Sequence, residues 1–528
     1  MKAKRLLAFL LLFGVLSLAW QDPLYRLGRN IEIYGRVLQE LAQNYVEAPD
    51  LDFLTNHAIE AMLSKLDPYT NYYSATEVTQ AQLEQSGQYA GVGLVLMPLE
   101  GKVICRRVLP GSPAEKGGIE PGDLLVEIEN KPVSNLSLEQ VQQLLRGMPR
   151  TIVRVKVMHP TTQKVEELQL VRAELETEAI PYATLLPDGI GYIALTQFTR
   201  GCAEALRQKL IALKAQAPLK GLILDLRGNP GGLLSEALEI LNLFLPKGEL
   251  LLETRGRMSE ANQKYYAQQH PFEPTLPLAV LIDESSASAS EIVAGTLQDL
   301  DRAVIIGKNS FGKGLVQVVR PLVENTQMKI TVSRYYIPSG RSIRLPGEPT
   351  ASRMFRTRSG RPVREGNGIT PDLEAPMYLS LRLRERLEPY FFYFLAHKRD
   401  VIQRDSLRLR VEIPSEAMVE VLLDSLRAYP QAYGQEAESY LRELYARLGD
   451  IPSLREKLKE LELALQVYRR QQLLKEKEAL RLLIGQLRAY HGLGLRGEYD
   501  FITAHDPTVH LAQQVLRDQE RYQRLLRP

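Results

Sequence analysis

Two short stretches of this chain carry residue types that could do chemistry together. The first is Asp283-Glu284-Ser285-Ser286-Ala287-Ser288-Ala289-Ser290-Glu291, and the second is Phe311-Gly312-Lys313-Gly314-Leu315-Val316-Gln317. A serine hydroxyl is a poor nucleophile until a base takes its proton, and a neutral lysine can serve as that base. Burial among apolar neighbours lowers a lysine pKa by disfavouring the ammonium, and no charged residue adjoins Lys313 in its loop. Residues 276–282 form a continuous apolar run expected to be a buried strand, and apolar residues recur at helical spacing over 290–300. The serines therefore fall where a strand hands over to a helix. Orphan N–H groups at such a helix start can bind an oxyanion. Ser288-Ala289-Ser290-Glu291 also fits a capping box, a structural role that needs no chemistry.

The elements that must hold these stretches follow from the surrounding pattern. Strands are expected at 191–198, 221–226, 250–254, 304–306, 315–319 and 330–336, with helices at 203–215 and 233–245, which predicts a mixed α/β core. Upstream, from residue 89, short strands alternate with glycine turns: Gly91-Val92-Gly93-Leu94, then 103–108, Pro110-Gly111-Ser112-Pro113-Ala114, Gly117-Gly118-Ile119 and 121–128. Leu138, Val141, Leu144 and Leu145 mark an amphipathic helix, and 152–157 a closing strand. Residues 24–85 are expected to be helical, with Ile31, Tyr34, Leu38 and Leu41 on one face and Asp67-Pro68 stopping the second helix. Beyond Met377 the chain turns to long Leu-rich helices at 379–397, 417–428, 438–448, 454–489 and 510–525, interrupted at 492–497. Their mixed charges are the mark of solvated faces, and no catalytic signature falls among them.

Taken together these motifs resemble the carboxyl-terminal processing proteases, also called tail-specific proteases, which are Ser/Lys endopeptidases carrying a PDZ domain. The resemblance covers roughly 66–373 and includes Asp225-Leu226-Arg227-Gly228-Asn229-Pro230-Gly231-Gly232, 335–343 and Gly368-Ile369-Thr370-Pro371-Asp372. It implies Ser288 as nucleophile, Lys313 as general base, Gln317 as the residue that holds the lysine, and Gly232 and Ala289 as oxyanion donors. It implies a multidomain α/β protein whose protease core is ClpP/crotonase-like, with no cofactor and no metal. The strand order from residue 89 resembles a PDZ domain, in which an added peptide strand places its terminal carboxylate in a glycine loop. Here that loop is Tyr89, Ala90, Gly91, Val92, Gly93 and Leu94. The implied substrates are polypeptides with a free C-terminus, and the terminal helices offer a surface for a homodimer.

Composition bounds the remaining choices. At 528 residues, 45% hydrophobic and 24% charged, the chain is an ordinary globular protein of several domains. A net charge of +3 with no basic block gives no footprint for nucleic acid. Lys2, Lys4 and Arg5 precede an apolar run at 6–20 with a small-x-small site at Ser17-Leu18-Ala19. This predicts an export signal and a periplasmic or other extracytoplasmic location; left uncleaved, the run would anchor the protein to the inner membrane. The expected division is 1–20 signal or anchor, 21–85 N-terminal helices, 86–172 PDZ domain, 173–378 protease core and 379–528 C-terminal helices.

Cys105 and Cys202 fall in different expected domains, so they are expected to be buried thiols, and no Cys/His cluster has zinc spacing. Three rivals stand beside the protease. A P-loop protein would use Gly307-Lys308-Asn309-Ser310-Phe311-Gly312-Lys313, but Gly314 stands where Ser or Thr should hold magnesium and a strand follows where a helix should. A Ser/His/Asp hydrolase would recruit His270, which lacks a G-x-S-x-G partner motif. A non-enzymatic PDZ scaffold would not need Ser288, Lys313 and Gln317 intact.

Overall fold

The computed structural model describes residues 23–528 apart from 75–76, 79–87, 177, 344–352, 367, 376–380, 427–428, 430–431, 433–434 and 449–450. The apolar run at 6–20 lies outside the described residues. No helix among the described residues is long and apolar enough to cross a membrane. The chain divides into two units, one made of 1–78 with 317–331 and the other of 79–316 with 332–528.

In the first unit, helix α1 (Pro23–Asn44) buries no residue: Leu38 and Leu41 are half-buried, and Ile31 and Tyr34 of the same expected face are exposed. Helix α2 (Leu51–Leu63) is capped by Asp50, whose carboxylate accepts the Phe53 N–H at 2.9 Å. Asp67 then accepts the N–H groups of Tyr69 at 2.8 Å and Thr70 at 2.9 Å, a side-chain turn that leads into β1 (Asn71–Tyr73). Strand β1 pairs antiparallel with residues 327–329.

The second unit begins with β2 (Gln88–Gly91), then a sheet of β3 (Leu94–Leu99), β4 (Lys102–Val108), β5 (Leu124–Ile128), β7 (Ile152–Met158) and β8 (Val165–Val171) in that order, with β6 (Lys131–Pro132) beside β5. Short helix α3 (Pro113–Lys116) and helix α4 (Leu138–Leu145), the latter started by a Ser137/Gln140 capping box, close over Val103, Cys105, Leu125, Val153 and Val155, with Val141 of α4 turned into this core. Two details depart from the sequence expectation. The strand at 152–157 does not close the sheet, because β8 pairs along its whole length, and β2 leaves this sheet to pair with β9 (Ala173–Glu176).

The core sheet runs β10 (Tyr182–Leu186), β11 (Ile190–Ala194), β12 (Gly221–Asp225), β15 (Leu278–Ile282), β16 (Val304–Gly307) and β21 (Leu373–Glu374). It is parallel from β11 onward, with β10 antiparallel at one edge. Helices α5 (Cys202–Gln216), α6 (Leu234–Asn242) and α7 (Ala289–Asp299) cover one face, over Ile193, Leu222, Leu224 and Val280. Both faces of a parallel sheet must be buried, which is why β12 and β15 are continuously apolar. Strands β13 (Leu250–Gly256) and β14 (Gln263–Tyr266) pair with each other, β17 (Leu315–Pro321) and β18 (Gln327–Tyr336) follow, and β19 (Met354–Arg356) and β20 (Pro362–Arg364) form a small hairpin.

The C-terminal helices are α8 (Leu381–Ala396), α9 (Arg399–Arg404), α10 (Ser406–Leu409), α11 (Glu416–Ser425), α12 (Gln435–Leu448), α13 (Pro452–Lys475), α14 (Lys477–His505), α15 (Pro507–Arg517) and α16 (Gln519–Leu525). The helix expected at 454–489 divides at Glu476, and α14 breaks at Gly494 (φ 62°, ψ −149°), inside the interruption read from the sequence. These helices are not merely solvated. Val509, Ala512, Val515 and Leu516 of α15 bury the second face of the core sheet against Tyr192, Ile223 and Leu281. Leu387, Phe391 and Phe392 of α8 with Leu480 and Tyr490 of α14 pack on Met97, Leu99, Ile104 and Leu124 of the β3–β5 sheet.

Candidate active site

Strand β15 ends at Ile282, and residues 283–288 turn the chain into α7. Ser286 and Ser290 are fully buried and spoken for: the Ser286 hydroxyl donates to the Leu226 carbonyl at 2.8 Å, and the Ser290 hydroxyl to the Asn229 carbonyl at 2.9 Å. Ser288 lies between them, half-buried, at φ 56° and ψ −111°. A non-glycine residue in that region stores strain of order 1–3 kcal/mol, which the surrounding hydrogen bonds must hold in place. Of the three alternating serines, Ser288 is the one left facing outward. The acid half of the capping box forms, with the Glu291 carboxylate accepting the Ser288 N–H at 2.8 Å, while the Glu291 N–H donates to the Ser288 carbonyl at 2.9 Å.

The glycine loop after β12 packs directly on this turn. Asn229, wholly buried, donates through its side chain to the Leu195 carbonyl at 2.7 Å and accepts the Gly231 N–H at 2.8 Å, while its own carbonyl accepts the Ala287 N–H at 3.0 Å. At Gly231 (φ 100°) a Cβ would sit 2.7 Å from the Ala287 oxygen and 2.9 Å from the Ala289 nitrogen, so only glycine permits the approach. Phe198 straps the loop from behind, donating to the Gly231 carbonyl at 3.0 Å and accepting from Leu233 at 2.8 Å. Neither the Gly232 N–H nor the Ala289 N–H has a protein acceptor among the described residues. Both remain available to a developing negative charge.

The lysine loop runs from β16 into β17, and a strand rather than a helix follows it, so the phosphate-cradling helix start of the P-loop reading is absent here. Gly314 is fixed by close approach: a Cβ there would lie 1.1 Å from the Ile343 carbonyl oxygen. Lys313 is half-buried. Gln317, four residues on in β17, donates to the Thr331 hydroxyl at 3.3 Å in the first unit.

The residue that ties the two loops together is Glu291, which its S-x-x-E spacing marks only as a capping acid. It is fully buried, and all four of its neighbours donate. Its Oε1 accepts the Ser310 hydroxyl and the Gly312 N–H, each at 2.6 Å, and its Oε2 accepts the N–H groups of Ser288 and Lys313, each at 2.8 Å. One carboxylate oxygen thus receives the amides of both Ser288 and Lys313. Burial pushes the Glu291 carboxyl above its usual range, opposed by these hydrogen bonds to the anion. The spacing S-x-x-E hinted at the first contact, but the other three come from a loop that folding brings in.

The expected carboxylate loop divides. Tyr89, Ala90 and Gly91 lie in β2 and pair with β9, whereas Val92 and Gly93 link the two strands and Leu94 opens β3. Gly93 (φ 88°) sits so close to Ser112 that a Cβ would meet its Cβ at 2.2 Å. Among the described residues, strand β3 ends its sheet, with β4 on one side only. His270 is exposed in the loop after β14. Cys105 and Cys202 are both buried and unbridged.

Comparison with known proteins agrees with this architecture. Residues 189–375 match the model of peptidase family S41, and residues 104–158 match a PDZ domain model. The carboxy-terminal-processing protease of Bartonella bacilliformis is 34% identical over 64% of this chain and 74% of its own length. The carboxy-terminal processing protease CtpB of Bacillus subtilis is 32% identical over 59% of this chain and 65% of its own. Among solved structures, the photosystem II D1 C-terminal processing protease shares 28% identity over 64% of this chain and 85% of that one, with a TM-score of 0.40.

Proposed function

Because the chain belongs to peptidase family S41, the serine-type carboxy-terminal processing proteases with a PDZ domain, we propose that it is an exported enzyme that cleaves polypeptides with a Ser288/Lys313 dyad after docking their free C-termini. The observation that carries the dyad is the Glu291 oxygen shared by the Ser288 and Lys313 amides, set beside two neighbouring serines whose hydroxyls are bound to backbone carbonyls. Neutral Lys313 takes the Ser288 proton as the hydroxyl oxygen attacks the scissile carbonyl. The oxyanion that forms is held by the N–H groups of Gly232 and Ala289. Collapse of the tetrahedral species breaks the C–N bond, the departing amine receives the proton from Lys313, and water then hydrolyses the Ser288 ester with Lys313 again as base. Gln317 is assigned to steadying the lysine, and the basic-then-apolar start of the chain to export.

Activity should rise with pH along a single acid limb as Lys313 loses its proton, because a lysine base works only when neutral. The check is a pH–rate profile of wild type and His270→Ala. The two profiles should coincide; a limb that vanishes in His270→Ala would move the base to the histidine.

Tail docking is supported by the edge of β3 that has no strand partner among the described residues, which offers main-chain groups to an added strand, and by the close-packed Val92–Gly93 link at its start. A free terminal carboxylate makes charge-assisted bonds that an amide does not replace. Free-acid substrates should therefore be cut faster than the same chains amidated, and Gly93→Val should erase the difference by driving a side chain into Ser112. Paired cleavage rates measure this. Equal rates for acid and amide in the wild type would remove the tail-reading role while leaving the protease standing.

A further inference from the structure

The glycine loop that carries Gly232 is anchored at its start by Arg227, and Arg227 is held from two sides. Its guanidinium forks onto Asp225, with Nη2 to Oδ2 at 2.7 Å and Nε to Oδ1 at 3.0 Å, and its Nη1 donates to Asp506 Oδ2 at 2.8 Å. Asp225 also accepts the buried Tyr192 hydroxyl at 2.7 Å. Burial works against the charge of Arg227, and the carboxylates of Asp225 and Asp506 outweigh it, holding the arginine well above its ordinary range. Next along the loop, the Gly228 N–H donates to Asp283 at 2.9 Å, at the base of the turn that presents Ser288.

Asp506 comes from the far end of the chain, beyond the stretch that matches the peptidase family. It is buried at the N-cap of α15, where its Oδ1 accepts the N–H groups of Thr508 at 2.8 Å and Val509 at 3.2 Å. The two oxygens thus do different work: one starts a helix packed on the core sheet, and the other reaches the oxyanion loop. A cavity of about 300 Å³, lined by Arg227, Gly228, Asp283, Ser285, Tyr499 and Asp506, lies on this side of the loop. With open space on that side, the Arg227–Asp506 ion pair is the hold added there to the backbone bonds through Phe198, Asn229 and Asp283 that fix the rest of the loop. The preceding segment of α14 carries Glu498, which holds Arg106 of β4 at 3.0 Å, so the same stretch of helix also grips the PDZ domain.

We propose that Asp506 is a positioning residue for peptide-bond cleavage, setting the oxyanion loop through Arg227 and making the C-terminal helices part of the catalytic apparatus. The proposal rests on the Ser288 reading above. Asp506→Ser and Asp506→Asn both keep an N-cap oxygen, while each removes the carboxylate from Arg227. The expected result is a folded protein whose kcat falls about tenfold or more with KM unchanged, a share of the 10²–10³ that one oxyanion donor is worth. Labelling by a fluorophosphonate probe, whose phosphoryl oxygen enters the oxyanion site, should slow by a similar factor while still reaching one label per chain. Wild-type kcat and labelling rate in both variants would overturn the proposal, as would a change confined to KM. Failure of Asp506→Asn to fold would also overturn it, by making the residue purely structural. If the wild type is not labelled at Ser288 at all, the reading of the site fails instead.

Discussion

Lys313→Ala and Lys313→Arg are expected to end peptide cleavage equally, and Ser288→Ala with them. A guanidinium carries its charge at every accessible pH, so arginine keeps the bulk and polarity of lysine but cannot accept the serine proton. General-base help alone is worth about 10² to 10⁴ in rate, and a nucleophile and its base fail as a unit rather than additively. All three variants should stay folded, because Lys313 and Ser288 are only half-buried and their loops are held through backbone amides on Glu291. Steady-state cleavage beside thermal midpoints tests this. Turnover in Lys313→Arg within a few-fold of wild type would place the base elsewhere.

Glu291→Gln is expected to be almost as damaging as Glu291→Ala. Every neighbour of this carboxylate is a donor, so an amide presents its NH₂ to N–H or O–H groups that need an acceptor. Each buried donor left unsatisfied costs about 1–3 kcal/mol, and Oε2 serves both Ser288 and Lys313. Cleavage should fall at least about 10²-fold, since displacing the loops disturbs nucleophile, base and oxyanion donor together. The thermal midpoint should drop in the same variant, in contrast to Lys313→Ala. A Glu291→Gln protein with wild-type kcat would show that the carboxylate only caps a helix.

Much of the site was legible because its residues are constrained locally. Glycines at 231 and 314 are demanded by backbone contacts, and the serines at 286 and 290 by buried carbonyls, so both motifs stand out in the chain. The strands buried on both faces, β12 and β15, announce themselves as apolar runs. Strand β8 did not, since its outer face mixes Val165 and Val171 with Glu167 and Gln169 while Glu166 shares the inner side with Leu168 and Leu170, which blurs the alternation of apolar and polar residues, and β2 falls within the expected binding loop although its backbone is taken up by β9. The C-terminal helices misled most. Their charge pattern is that of solvated faces, yet α15 covers the core sheet and Asp506 reaches Arg227, a contact 279 residues apart that no local pattern encodes. Glu291 lies between these cases, with one of its four bonds predictable from the capping spacing and the rest set by tertiary folding.

The claim that Ser288 is the nucleophile is tested most directly by finding where a serine-directed fluorophosphonate lands. Wild type should gain one covalent label, mapped by mass spectrometry of the digest to the peptide holding Ser288, and lose polypeptide cleavage in step with labelling. Labelling should be slowed in Lys313→Ala and absent, with cleavage, in a folded Ser288→Ala protein. A label on another serine, or undiminished cleavage by Ser288→Ala, would contradict the account.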